Sequence, residues 1–112
     1  MGEGTALKRS KYDVASDPNT SPETLAALSQ DEEWGVRSWL AANPSSPPNA
    51  LAILGSDGNP SIRWTVALHP STPADVLANL SKDKHSRVRW HVARNPSTPY
   101  GIWIVPWGRV FP

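Results

Sequence analysis

The sequence contains no cysteine. This absence excludes a disulfide framework, a thiolate metal site, an iron–sulfur cluster and a cysteine nucleophile. We therefore expect the fold to depend on packing alone and to need no cofactor.

Long apolar runs and net charge are also scarce. No stretch approaches the roughly 20 consecutive apolar residues of a membrane-spanning helix, and residues 1–11 lack the apolar core of a signal peptide. We therefore expect a cytoplasmic protein with no membrane partner. The net charge of +1 provides little long-range attraction to nucleic acid or to anionic lipid.

The chain is short and rich in proline. Its 112 residues suit a single domain with a modest core, not a catalytic domain with an appended module. Apolar residues make up only 38% of the sequence, and the 12 prolines are spread along it instead of forming a tail. Proline spaced in this way indicates an internal repeat.

A period of 26 residues runs through the sequence. Four prolines keep this spacing with nothing inserted or deleted between them: Pro18, Pro44, Pro70 and Pro96. The same period gives a leucine column, an aspartate column and an arginine column. These are Leu25, Leu51 and Leu77, then Asp31, Asp57 and Asp83, then Arg37, Arg63 and Arg89. Chance does not produce so many coincident columns, so the chain is read as a repeat protein.

Each unit carries two helix signals. In the third unit, Thr72 is predicted to accept from free backbone N–H groups, with Pro73 at the first helical position and Asp75 at the third. The second helix of successive units is predicted to begin at Asp31, at Asn59–Pro60 and near Ser86. It is predicted to end at about Ala42, Leu68 and Arg94, where an Asn-Pro or His-Pro pair follows.

Helices this short are marginal in water, so the units must stack to bury their leucine and valine columns. Three full units are about the minimum for such a stack. We predict an all-α solenoid of about seven short helices. The expected organisation is a flexible N-terminal segment at 1–10, the repeat solenoid at 11–103 and an apolar C-terminal tail at 104–112.

The pattern Val-Arg-Trp-x-Val-Ala-x-Asn/His-Pro-Ser-Thr-Pro-x-x-x-Leu, read at 62–77 and 88–103, closely resembles the variant leucine-rich repeat family of bacteria. The resemblance covers residues 11–103. It implies a right-handed, HEAT-like superhelix of alternating α-helices and short or 3₁₀ helices, without β-strands. A founding type of that family carries an iron–sulfur cluster on a cysteine-rich segment, which this chain lacks. The family has no common catalytic activity, so the resemblance implies architecture more than function.

The arginine column admits two interpretations. Guanidinium groups at Arg37, Arg63 and Arg89 would bind carboxylates or phosphates along a groove. Alternatively, they form a ladder with the aspartate column, Asp31, Asp57 and Asp83, between neighbouring units. We favour the ladder, because strictly periodic features of solenoids usually serve stacking.

An aromatic column lies two residues beyond the Val/Ile column of the second helices. It contains Tyr12, Trp64 and Trp90, is interrupted at Ser38, and has Trp39 and His91 beside it. Its side chains are expected to point away from the valine stripe. Exposed apolar strips usually mark a partner site, whereas the alternative is that each indole covers the flank of the neighbouring unit.

Metal and catalytic sites are not predicted. The separations of His69, His85 and His91 match no usual metal-ligand spacing. The serines lie in capping motifs or loops, where they serve the backbone. There is also no glycine-rich phosphate cradle, so we predict that the protein is not an enzyme.

Charge differs between the ends of the repeat region. The first full unit is acidic, whereas the third is basic through Lys82, Lys84, Arg87, Arg89 and Arg94. With Trp90 and His91, that basic end would hold phosphates and stack bases, as single-strand binders do. A solvated loop is the commoner explanation of such a patch.

The apolar tail at 104–112 abandons the repeat pattern. Pro106 and Pro112 block a long helix, and we expect the tail to fold back over Leu77, Leu80 and Val92 as an end cap. A free tail would instead bind a partner or mediate self-association. The predicted function is protein binding through the Trp- and Arg-bearing face of the second helices, with nucleic-acid binding through the basic third unit as the alternative.

Overall fold

The computed structural model describes residues 9–98 and two short strands beyond them. It contains seven α-helices in the described part: α1 (Lys11–Ser16), α2 (Pro22–Ala27), α3 (Trp34–Ala42), α4 (Pro48–Leu54), α5 (Pro60–Leu68), α6 (Ala74–Leu80) and α7 (Ser86–Arg94). A 3₁₀ helix, Leu28–Gln30, follows α2. Residues 9–98 contain no β-strand, which confirms the predicted helical fold of the repeat region. The first eight residues of the expected flexible segment lie outside the described residues.

The even-numbered helices α2, α4 and α6 are the first helices of their units, and α3, α5 and α7 are the second helices. Each second helix packs on the second helix of the next unit, and α1 occupies the same place before α3. The first helices α2 and α4 also pack on each other. The core lies between these two layers.

The core is built from the periodic apolar columns. The leucine column is fully buried at Leu25, Leu51 and Leu77, and so are the two inward columns of the second helices, Val36, Ile62 and Val88 with Leu40, Val66 and Val92. Burying one such side chain completely contributes about 1.5–3 kcal/mol. A single unit supplies few of them, which is why the units require neighbours.

Helix α5 begins at Pro60 after Asn59, and α7 begins at Ser86, as the sequence predicted, but α3 begins later than expected. Asp31 does not start α3; its Oδ1 accepts from the backbone N–H of Glu33 at 2.9 Å, and the helix begins at Trp34. The same turn recurs at Asp57 and Asp83. A carboxylate that bonds the backbone two residues on favours a turn over a helix, so the predicted start at Asp31 is wrong by three residues.

The predicted cap at Thr72 is also wrong. Thr72 is buried, and its Oγ1 donates to the carbonyl oxygen of Val66 at 2.6 Å, while Pro73 is the N-cap of α6 and makes no side-chain cap. Equivalent hydroxyls bond the preceding second helix from Thr20, Ser46 and Thr98. The hydroxyl column therefore ties the end of each second helix to the turn that follows it.

A buried polar column joins successive units. Asn43 donates from Nδ2 to the carbonyl oxygens of Ala15 and Asp17, at 2.8 and 3.0 Å. Asn95 makes the equivalent bonds to the carbonyl oxygens of Ala67 and His69. His69 takes the asparagine position in the unit between: its Nδ1 accepts from the N–H of Ser71, so Nε2 carries the proton that is donated to the Asn43 carbonyl oxygen.

The chain beyond the repeats contains a short hairpin that the sequence did not predict. Strand β1 (Trp103–Ile104) pairs antiparallel with β2 (Val110–Phe111), and β1 lies beside α7. The side chains of the expected cap at 104–112 lie outside the described residues. None of the helices in the described part combines the length and the apolar composition of a membrane span.

Candidate functional site

The outward side of α1, α3, α5 and α7 forms one surface, which we call the second-helix face. Val36 and Leu40 of α3 point into the core, whereas Trp39, on a different side of the same helix, is exposed. The face bears most of the exposed large apolar side chains of the described residues: Tyr12, Trp34, Trp39, Leu68 and Trp90. Exposed apolar side chains that share one surface usually mark a binding site.

The α3 portion of this face is the most exposed. Trp34 is 61% exposed and Trp39 is 54% exposed. Trp34 escaped the sequence analysis because its column continues with Pro60 and Ser86 and shows no repeat. It lines a hollow with Tyr12 and Gly35, which its spacing of five residues from Trp39, about 140° around an α-helix, does not predict.

Trp64 behaves differently from the other aromatic residues. It is half-buried and packs against the core. Its ring centroid lies 5.9 Å from that of His85 and 6.5 Å from that of His91, and the Arg87 guanidinium carbon lies 5.1 Å from it. Trp64 therefore covers the flank of the next unit, while Trp90 remains 38% exposed with Arg94 over its ring.

A hollow opens at the junction of α1 and α3 on the same face. It has a volume of about 420 Å³ and is lined by Tyr12, Glu32, Glu33, Trp34 and Gly35. The Tyr12 hydroxyl donates to Glu33 at 3.4 Å. A Cβ at position 35 would lie 2.9 Å from Cε1 of Tyr12, so glycine is what allows the tyrosine ring to lie there. The hollow combines carboxylates with aromatic rings.

A second, smaller hollow of about 180 Å³ lies between the C-terminal ends of α3 and α5. Its outer wall includes Ala42, Thr65 and Leu68, and Leu68 is 54% exposed. Leu68 was used in the sequence analysis only as a helix end. The middle of the second-helix face is thus apolar.

The arginine and aspartate columns meet between neighbouring units. Nε of Arg37 donates to Asp57 at 2.6 Å, and Nε of Arg63 donates to Asp83 at 2.7 Å. Lys11 takes the arginine position before the first full unit and binds Asp31 at 3.1 Å. These three pairs have the form that the ladder interpretation describes, and two of them occupy guanidinium groups, those of Arg37 and Arg63.

Each arginine of the ladder makes a second bond within its own unit. Nη1 of Arg37, Arg63 and Arg89 donates to the carbonyl oxygen of the aspartate six residues earlier, at 2.6–2.8 Å. Arg89 differs in its other bond. Its Nε is buried and has no hydrogen-bond partner among the residues that the structure describes, and position 109, twenty residues on, is arginine in the sequence.

The ladder shifts the ionisation of its carboxylates. Burial raises the pKa of Asp83, but hydrogen bonds from Arg63 and from the N–H of His85 outweigh it and leave the pKa below its ordinary value of 3.8. The N–H of Glu33 and the ammonium group of Lys11 lower the pKa of Asp31. At neutral pH both are therefore carboxylates, as ion pairing requires.

The predicted basic patch divides into two parts. Arg87 and Arg94 are exposed on the second-helix face, each over a tryptophan ring. Lys82 and Lys84 are exposed in the loop between α6 and α7, and Arg89 is half-buried in the ladder. His91 lies between the two arginines of the face, and its burial together with their charge lowers its pKa from the ordinary 6.5.

Metal-binding geometry is not found in the described part of the chain. No three side chains among its histidines, aspartates and glutamates come together as a metal site would require. His69 and His85 instead accept backbone N–H groups at helix ends.

Comparison with known proteins identifies a family for the chain. No curated protein and no solved structure matches the chain significantly. The family model described as Leucine Rich Repeat Variant domain matches residues 9–67, more than half of the sequence. This stretch contains α1 to α4, α5 except its last residue, and the first two rungs of the ladder. The chain is therefore a repeat module that belongs to the Leucine Rich Repeat Variant domain family.

Proposed function

We propose that the chain is a non-catalytic module, a right-handed solenoid of 26-residue units, that binds another protein through the second-helix face. The observation that carries this proposal is the exposure of Trp34, Trp39 and Trp90 together on that face. Tryptophan is enriched among the residues that dominate binding energy at protein interfaces. The face is also preformed, since the ladder and the buried Asn/His column fix the units relative to one another.

The test separates the exposed indoles from the half-buried one. Trp39→Ala and Trp90→Ala should abolish capture of the partner from a lysate of the native host while leaving the helical circular dichroism unchanged. Trp64→Ala should instead lower the melting temperature, because its ring covers the flank of the next unit. A control is Ile53→Ala, which removes a side chain that is 40% exposed on α4, outside the face.

This comparison decides whether the second-helix face binds the partner. Capture that survives both exposed-tryptophan substitutions would overturn the proposal, as would capture lost equally in Ile53→Ala. Loss of helicity in Trp39→Ala would assign that indole to folding instead of binding.

A second candidate function is the binding of single-stranded nucleic acid at the basic third unit, supported by the arginines beside Trp64 and Trp90. Against it, those arginines already cover the indole rings at 5.1 and 5.2 Å, where a base would have to stack. Titration with a labelled oligonucleotide at several salt concentrations separates the two functions. A steep loss of affinity with rising salt supports nucleic-acid binding, and no binding at low salt removes it.

A further inference from the structure

The second-helix face has opposite charges at its two ends. At the α7 end it presents the exposed arginines Arg87 and Arg94. At the α1 end it presents Asp13, Glu32 and Glu33, all exposed, with Lys11 bound to Glu33. Between them, the face carries the apolar group Trp34, Trp39 and Leu68.

The hollow at the acidic end has the chemistry of an arginine receptor. Glu32 and Glu33 supply carboxylates, which guanidinium groups bind in planar, paired hydrogen bonds. Tyr12 and Trp34 supply aromatic faces, on which guanidinium also stacks. At the other end of the same face Arg87 is exposed, and its guanidinium group would leave the Trp64 ring to enter the hollow, so the chain contains both halves of this contact.

We propose that the occupant of the second-helix face is a second copy of this chain, in an antiparallel pair with two-fold symmetry. This inference rests on the proposed function, because it uses the same face and names its partner. Arg87 of each copy enters the hollow lined by Tyr12, Glu32, Glu33 and Trp34 of the other copy. A two-fold axis makes the two contacts identical, which is the usual symmetry of homodimers.

The charge distribution selects the direction of the axis. If the two-fold axis is parallel to the second helices, α7 of one copy lies over α1 of the other copy. The N-terminal ends of the facing helices then lie on the same side. Arg87, at the start of α7, then meets Glu33, which precedes α3. An axis along the row of helices would instead lay α7 on α7 and bring four arginines together, and like charges facing each other oppose association.

Under this symmetry, the apolar middle of the face in one copy packs against the same region of the other copy. Since α3 of one copy then lies over α5 of the other, Trp39 is placed over the hollow beside Leu68. Packed helices are spaced about 8–10 Å apart, so a four-helix face of this kind makes an interface at the small end of specific contacts. The expected pair is therefore reversible and concentration-dependent.

The experiment exchanges the charges at each end separately. Variant A is Arg87→Glu with Arg94→Glu, and variant B is Glu32→Lys with Glu33→Lys. By sedimentation equilibrium up to several hundred micromolar, the unaltered chain should dimerise, and A alone and B alone should each associate at least tenfold more weakly. An equimolar mixture of A and B should dimerise again, because both contacts then join opposite charges.

The controls separate this inference from the proposed function and from folding. Circular dichroism of A and B should match that of the unaltered chain, and Ile53→Ala should dimerise normally whereas Trp39→Ala should not. A chain that stays monomeric overturns the dimer and leaves the capture of a different protein to the tryptophan test above. A dimer that survives in A alone overturns it as well, and a mixture of A and B that grows into longer oligomers indicates end-to-end association instead.

Discussion

Arg63 and Arg89 hold equivalent positions but have different surroundings. Arg63 is 8% exposed and pairs with an Asp83 carboxylate whose side chain is 9% exposed, whereas the Nε of Arg89 has no partner in the described part of the chain. Removing one partner of a buried pair leaves an uncompensated charge. A buried donor that has no acceptor makes no hydrogen bond, so its removal loses no hydrogen-bond energy.

Arg63→Met should therefore destabilise the protein by about 3 kcal/mol, and Arg89→Met by about 1 kcal/mol or less, the value of its bond to the Asp83 carbonyl oxygen. Urea unfolding of both variants measures the difference. Equal losses would contradict the difference in pairing between Arg63 and Arg89 in the described part of the chain.

His91 links stability to pH at the basic end. Burial and the charges of Arg87 and Arg94 lower its pKa in the folded protein. The unfolded chain then binds more protons than the folded one just below pH 6.5, so stability falls as the pH drops through that region. His91→Gln should show a smaller fall in urea midpoint between pH 7.5 and pH 5.5 than the unaltered chain. An identical fall in both proteins would exclude His91 as its origin.

At the scale of helices, the repeat period predicted the buried apolar columns, which packing determines. It did not predict the hydrogen bonds of individual side chains. The inward columns were readable because every second helix repeats the same spacing, and α5 and α7 end at the predicted Leu68 and Arg94. The start of α3 was misplaced because Asp31 suits both a helix start and a turn, and only the bond to the Glu33 N–H distinguishes them. Thr72 was likewise assigned to the wrong backbone group, since a hydroxyl can both accept and donate and the sequence does not distinguish a cap from the bond to the Val66 carbonyl oxygen.

The candidate site was only partly readable for a related reason. Columns of identical residues indicate contacts between stacked units, so the arginine–aspartate ladder could be predicted. A binding face has no need to repeat, and Trp34 and Leu68 belong to it without any periodic signal. The sequence offered both an exposed and a covering interpretation of Trp64 and could not decide between them, because the answer depends on Arg87 and His91 of the next unit.

The whole molecule is held together by contacts between adjacent units, so its stability should grow with the number of units. The buried bonds from Asn43, His69 and Asn95 each reach a carbonyl group 26 residues earlier. This spacing makes the length of an inserted unit critical. A unit of 26 residues preserves every bond of this column, and a unit of 25 residues cannot.

Inserting a second copy of residues 44–69 directly after His69 should therefore raise the melting temperature, because it adds one core layer and one ladder rung. In the lengthened chain Arg63 would pair with the inserted copy of Asp57, and the original Asp83 would receive the inserted arginine. The matched control inserts residues 44–68, which shifts the following columns by one position and turns their inward residues away from the core. Thermal unfolding followed by circular dichroism compares the two, and a melting temperature that is lower in both insertions would contradict a 26-residue structural unit.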